Sequence, residues 1–282
     1  MGHGTAVASI IAAAPQAGVS FTGVAPLAQV LSIKITNTET GIPSGVTATA
    51  IRDAVNLGAS VINLSLAAGN TPALQSAVQF AEASNVVVVA AAGNDADGGQ
   101  GPFYPAAYPG VLSVGAVAQD GSLASFSDTR TPVSVTAPGV DIASAYPGAY
   151  PNAYSLEDNG TSFATAFVSG VAALVRASHP GLRAAQVVTR IEETADGAAG
   201  PGTGHGLVNP VQAVTAVLPD DGTGAGTAAQ HVLVSQPAPA DTRARTVAMA
   251  IAAGALGLVL AVLAAAAVIP AGRRRGWRAG GA

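Results

Sequence analysis

The sequence predicts an α/β domain, a mostly parallel sheet covered by helices on both sides, followed by a tether and a membrane-spanning helix. Three observations predict it. Short β-rich apolar runs alternate with helical stretches along most of the chain, the pattern of βαβ units. Apolar residues make up 49% of the 282 and charged ones only 10%, which excludes disorder and requires a well-buried globular part. A long run near the C-terminus carries no charge at all.

GHGTAVASIIAA (Gly2–Ala13) is a small-residue helical run that begins at His3. VLSIKI (Val30–Ile35) reads as a strand, and GVTATAIRDAVNLGA (Gly45–Ala59) as a helix ended by Gly58. SVINLSL (Ser60–Leu66) is the next strand. TPALQSAVQFAEASN (Thr71–Asn85) is a helix with Pro72 suited to its first turn. VVVVAAAG (Val86–Gly93) is continuous enough to be buried on both faces, as parallel strands are. VLSVGAV (Val111–Val117) and VSVTAP (Val133–Pro138) are shorter strands, and a helix begins near Ser162 with Phe163, Phe167, Val168, Val171, Leu174 and Val175 on its apolar positions.

The domain so predicted covers residues 1–218. The Gly/Pro/Ala-rich stretch 219–246 reads as a flexible linker. Val247–Ile269 is 23 residues without a charge; as a helix it would be about 35 Å long, enough for a hydrocarbon core of about 30 Å. Arg273, Arg274, Arg275 and Arg278 follow it, against Arg243 and Arg245 before it. This asymmetry predicts a single-pass protein of the cell membrane, with tail 270–282 cytoplasmic and the N-terminal domain outside.

A net charge of −4 gives no electrostatic reason to expect nucleic acid. With no cysteine there is no disulfide and no thiolate chemistry. His179, His205 and His231 lack metal-ligand spacing, so no metal site is expected. The chain opens directly on Met1-Gly2-His3-Gly4-Thr5, motif-like residues without the charged and apolar regions of a signal peptide. The expectation is a chain that starts inside a domain.

Three residues stand out chemically. Ser162, in NGTSFATAFVSG, sits at a helix start, where the backbone dipole favours a developing negative charge. Alone it is as well explained as an N-cap. His3 also sits at a helix start, and neutral imidazole suits removal of a hydroxyl proton. Asn94, in AAAGND, follows the buried valine strand at its carboxyl end, where open α/β sheets place their sites. Its amide could donate to an oxyanion, although an Asn in a Gly/Asp-rich loop is common.

Taken together and in this order, GHGTAVA, AAAGND and NGTSFATAFVSG resemble the histidine, oxyanion-asparagine and nucleophile motifs of the subtilisin-like serine proteases, the subtilases. INLSL (Ile62–Leu66) resembles the family's substrate-pairing edge strand, YPAAYPGVLSVGAVAQDG and VTAPGVDI its sheet segments, and GHGLVNP (Gly204–Pro210) its closing turn. The resemblance implies a three-layer α/β/α fold and serine endopeptidase activity, with Ser162 as nucleophile, His3 as base and Asn94 in the oxyanion hole. A protein or peptide substrate would add as a strand beside Leu64, Ser65, Leu66, Ala67, Ala68 and Gly69. No cofactor is expected; calcium, which some subtilases bind, would find only the loop residues Asp95, Asp97 and Asp120, without an EF-hand pattern. A span directly after such a domain resembles the mycosins, membrane-anchored subtilases of type VII secretion, and implies secretion-complex partners.

The resemblance also implies an aspartate on a strand some tens of residues before the histidine. Only Met1 and Gly2 precede His3, and Asp53, Asp95, Asp97, Asp128, Asp141 and Asp158 offer no convincing substitute. The first strand of the expected sheet is missing with it. In subtilisin, loss of that aspartate alone lowers turnover about 3 × 10⁴-fold. The expectation is a weak or inactive protease, and the alternative function is a catalytically silent scaffold of a membrane secretion complex.

Overall fold

The computed structural model describes residues 2–218 apart from 18, 20, 38–41, 95–100, 147–153 and 198–199. The predicted linker, membrane span and basic tail lie outside the described residues. So do Asp95 and Asp97.

At the centre is a sheet of four parallel strands: β1 (Val61–Leu64), β2 (Val87–Ala91), β3 (Leu112–Val117) and β4 (Val135–Pro138), neighbours in that order. Val61 is in register with Val87, Val89 with Leu112 and Val114 with Val135. Every residue of β2 and β3 is buried, whereas β1 at the edge alternates half-buried and buried positions. Val87, Val88 and Val89 are each at most 1% exposed; burial of a valine contributes about 1.5–3 kcal/mol of transfer free energy. Their β-branched side chains therefore hold these strands in the middle of the domain.

Helices cover both faces. On one side lie α2 (Ser44–Asn56) and α3 (Pro72–Ala83), packed through Ile51, Leu74 and Val78 on Ile62, Leu64, Val86 and Val88. Thr71 caps α3 by accepting from the Leu74 N–H, with Pro72 in the first turn as expected. On the other side α4 (Thr161–Ser178) lies across the sheet through Ala164, Val168, Val171 and Val175, with α5 (Ala184–Glu193) and α6 (Pro210–Thr215) behind it. The helix α4 is the one described helix long and apolar enough to cross a membrane, and its apolar face is spent on this core. Arg190 of α5 is 1% exposed and donates to the carbonyls of Ala213 and Ala216 at the end of α6. The helix α1 (His3–Ala12) packs through Ala6, Val7 and Ile10 against Phe163, Ala166 and Ile142. Ile142 belongs to a separate antiparallel pair, β5 (Ile142–Ala145) with β6 (Tyr154–Asp158).

The α/β class, the parallel sheet and its helical layers agree with the sequence, but one predicted strand does not. Val30–Ile35 is not in a ladder. A run becomes a strand only with a partner for its N–H and C=O groups, and none of the four strands of the sheet pairs with it. Val30 and Leu31 are 49% and 48% exposed, while Ile33 still packs on the α2–α3 side.

Candidate active site

The carboxyl ends of β1 and β2 and the first turns of α1 and α4 meet at one place. Four residues picked from the sequence, His3, Ser65, Asn94 and Ser162, are brought together there. His3 is the first residue of α1; its Nε2 lies 3.3 Å from the carbonyl oxygen of Ser65, and its ring stands edge-on to Phe163 at 5.5 Å between centroids. Ser162 is the second residue of α4 and 9% exposed. Its Oγ donates to the same Ser65 oxygen at 3.3 Å. The histidine and the serine thus converge on one carbonyl, and no hydrogen bond joins them directly.

Thr161 and Asn94 form the adjoining part. Asn94 Oδ1 accepts the Thr161 N–H at 2.8 Å and the Thr161 hydroxyl at 2.8 Å. Two donors on one atom identify it as the amide oxygen, so Nδ2 is left to donate into the exposed space beside Ser162. Thr161 Oγ1 also accepts the Gly93 N–H at 3.3 Å. Glycine is required on both sides of this contact. Gly160 has φ +152°, and a Cβ there would stand 3.3 Å from Asn94 Nδ2; Gly93 has φ +113°, and a Cβ there would strike Phe103 at 2.2 Å. The Ser162 N–H lies in the first turn of α4, where no carbonyl four residues back is available to it. It and Asn94 Nδ2 are two donors at the positive end of an 18-residue helix.

Beneath Asn94, the Asp128 N–H donates to the Gly93 carbonyl at 3.0 Å. The Asp128 carboxylate is 0% exposed and accepts from Arg130 Nε at 2.9 Å, the Arg130 N–H at 2.7 Å and the Thr131 N–H at 3.0 Å. Burial alone would raise its pKa. The Arg130 side chain, these backbone donors and the Arg130 charge outweigh burial and hold it below the usual carboxylate range.

Among the described residues no carboxylate hydrogen-bonds or ion-pairs with His3. Asp128 is taken by Arg130, Asp158 accepts from Ser144, and Asp53 lies within α2. No group of three His, Cys, Asp or Glu that could hold a metal occurs among them either. Along the Leu64–Gly69 segment at least three backbone groups are already committed: the Ser65 carbonyl to Ser162 and His3, the Ala68 N–H to the Tyr104 carbonyl at 2.7 Å, and the Gly69 carbonyl to the Ser44 hydroxyl at 2.7 Å. A strand added there would have to use the remaining groups. A cavity of about 600 Å³, walled by Glu82, Tyr108 and Val188, opens at the amino ends of the strands and shares no residue with this site.

Sequence reasoning gave Thr161 no role in holding Asn94, and gave none to Asn63 and Ser169. The adjacency of Gly-Thr to the serine was the available signal for Thr161; the other two carried none.

The family model described as "Subtilase family" matches residues 1–226. The chain is 42% identical over 217 residues to the thermophilic serine proteinase of Bacillus sp. (strain AK1), a match that covers 76% of this chain and 52% of that protein. It therefore spans about half the length of that relative. Among solved structures, MycP1 with its N-terminal propeptide removed superposes with a TM-score of 0.69 at 33% identity, covering 78% of this chain and 80% of that one. The MycP3 protease from the type VII (ESX-3) secretion system does so with a TM-score of 0.65 at 34% identity, covering 77% and 73%.

Proposed function

The chain belongs to the subtilase family, and from that premise we propose that it is a serine endopeptidase site built on Ser162, His3 and Asn94. The observation that carries this reading is the convergence of Ser162 Oγ and His3 Nε2 on one oxygen, each at 3.3 Å. The Ser65 carbonyl can only accept, so in this contact His3 Nε2 carries the ring proton. Catalysis requires the other neutral tautomer, with the proton on Nδ1, and a serine hydroxyl rotated away from the Ser65 carbonyl towards the freed Nε2. Ser162 Oγ then attacks the scissile carbonyl and its proton passes to His3 Nε2. The carbonyl oxygen becomes an oxyanion that Asn94 Nδ2 and the Ser162 N–H receive. His3 returns the proton to the leaving amine as the C–N bond breaks, and water releases the acyl group by the same steps in reverse roles.

No carboxylate among the described residues holds the His3 tautomer or balances its positive charge, so turnover is expected far below that of a complete triad. The same observation favours the second reading, a protease-like scaffold without activity. Hydrolysis of a fluorogenic peptide by the purified chain, lost in Ser162→Ala, decides for the enzyme. Turnover equal in Ser162→Ala and wild type, or absent from both with the fold intact, decides for the scaffold.

We place the chain, within the family, with the membrane-anchored mycosins. The likeness to MycP1 and MycP3 and the uncharged Val247–Ile269 run support this, and secretion-complex subunits are the partners it implies. Retention in the membrane fraction after carbonate washing, and loss of it when residues 247–269 are deleted, is the expected result; a fully extractable chain would refute it.

A further inference from the structure

A chain of hydrogen bonds leaves the middle of α4, crosses β1 and returns to the first turn of α4. Ser169, 2% exposed, donates its hydroxyl to Asn63 Oδ1 at 2.9 Å. Asn63 Nδ2 donates to Ser65 Oγ at 3.0 Å, and Ser65 Oγ donates to the carbonyl of Ser162 at 2.7 Å. The Ser162 hydroxyl closes the circuit on the Ser65 carbonyl at 3.3 Å.

Residues 162 and 169 are seven apart, so they lie on the same face of α4. On β1, Ile62 and Leu64 point to the α2–α3 layer and Val61 to the opposite core; alternation therefore turns Asn63 towards α4. A polar residue there is tolerated because both ends of its amide are engaged. The direction of the chain is fixed at one point. Asn63 accepts at one end and donates at the other, which leaves the Ser65 proton only the Ser162 carbonyl. Each bond polarises the next.

We infer that Asn63, backed by Ser169, is a positioning residue for the nucleophile. By aiming the Ser65 hydroxyl at the α4 first turn, it clamps the end of β1 to Ser162. The clamp sets where Ser162 Oγ stands relative to the Ser65 carbonyl and His3 Nε2. The inference rests on the reading of Ser162 as nucleophile.

Asn63→Asp keeps the shape and the acceptor for Ser169 but removes the donor. The Ser65 hydroxyl then turns to the new carboxylate and releases the Ser162 carbonyl. The probe is an alkyl phosphonofluoridate, which forms a bond from Ser162 Oγ to phosphorus as fluoride leaves and the serine proton passes to His3. With the full chain, Asn63→Asp is expected to lower the maximal phosphonylation rate about 10–100-fold, the scale of an ångström of misplacement, with the half-saturating probe concentration unchanged. Ser169→Ala should lose less, and the double variant no more than Asn63→Asp alone, since both interrupt one circuit. Ser65→Ala, which keeps the carbonyl and deletes the clamp, should lose the same factor and decides the matter if Asn63→Asp does not fold. A wild-type chain labelled at Ser162 with Asn63→Asp and Ser65→Ala equally fast would overturn the clamp alone. So would a loss confined to probe affinity. A wild-type chain not labelled at Ser162 would overturn the nucleophile reading and the clamp with it.

Discussion

Thr161 holds Asn94 by two bonds to a single atom, donating its N–H and its hydroxyl to Asn94 Oδ1 at 2.8 Å each. The amide cannot turn over without losing both, so its donor end stays aimed at the space beside Ser162. Asn94→Ala should lower the rate of peptide hydrolysis or of Ser162 phosphonylation about 10²–10³-fold, the usual cost of one oxyanion donor. It should also lower the thermal midpoint, because it leaves two donors of the buried Thr161 without their acceptor. Thr161→Val, which removes one of the two bonds, should fall between that variant and the wild type. Rates for the three proteins under identical conditions check the order.

Glu82 offers a test of stability away from the site. Its Oε1 is inaccessible and has no hydrogen-bond partner among the described residues, and desolvation raises its pKa above the ordinary value. The folded state then prefers the protonated carboxyl. Stability from this group is fully present below the unfolded pKa and is lost as pH rises from there through the folded one. Glu82→Gln should therefore raise the melting temperature at pH 7 slightly, by at most about 2 °C, because the residue is only half-buried and solvent screens the effect. The gain should vanish near pH 4 and below; melts of both proteins at the two pH values measure it.

Asp128 works in the opposite sense. Burial opposes its ionisation, but the donors from Arg130 and Thr131 prevail and depress its pKa. Its contribution is present above the ordinary carboxylate value of about 3.9 and is lost as pH falls below it through the folded pKa. Asp128→Asn should cost roughly 2–3 kcal/mol at neutral pH, below the loss for a fully buried pair because Arg130 is 35% exposed. The variant's acid unfolding curve should also be flatter below pH 4 than that of the wild type. Denaturant titrations at pH 7 and pH 3 give both quantities.

What the sequence carried well was periodicity and motif. The valine run at β2 reads as a strand buried on both faces, and it is one; Pro72 after Thr71 marks a helix start that the structure repeats. By position alone His3, Ser162 and Asn94 were only suggestive; it was the order of their three motifs, which resembles that of the subtilases, that singled them out. Val30–Ile35 misled for a physical reason: its composition suits a strand, but strandedness belongs to a pair, and composition says nothing of the partner. The β5–β6 pair was missed because IASA is short and weakly apolar. Asn63 and Ser169 were illegible for a different reason. They are 106 positions apart, and only the folding of α4 across β1 makes them neighbours.

The grip of Arg190 on the last carbonyls of α6 has a mechanical consequence. Tension drawn on the chain from beyond Ala216 arrives first at α6, and the guanidinium hands it on to α5. His3, Ser65, Asn94 and Ser162 lie on neither of these two helices. Because α6 also packs on α4 through Ala213, a pull on that end of the domain divides between the helix that Arg190 grips and the helix that carries Ser162.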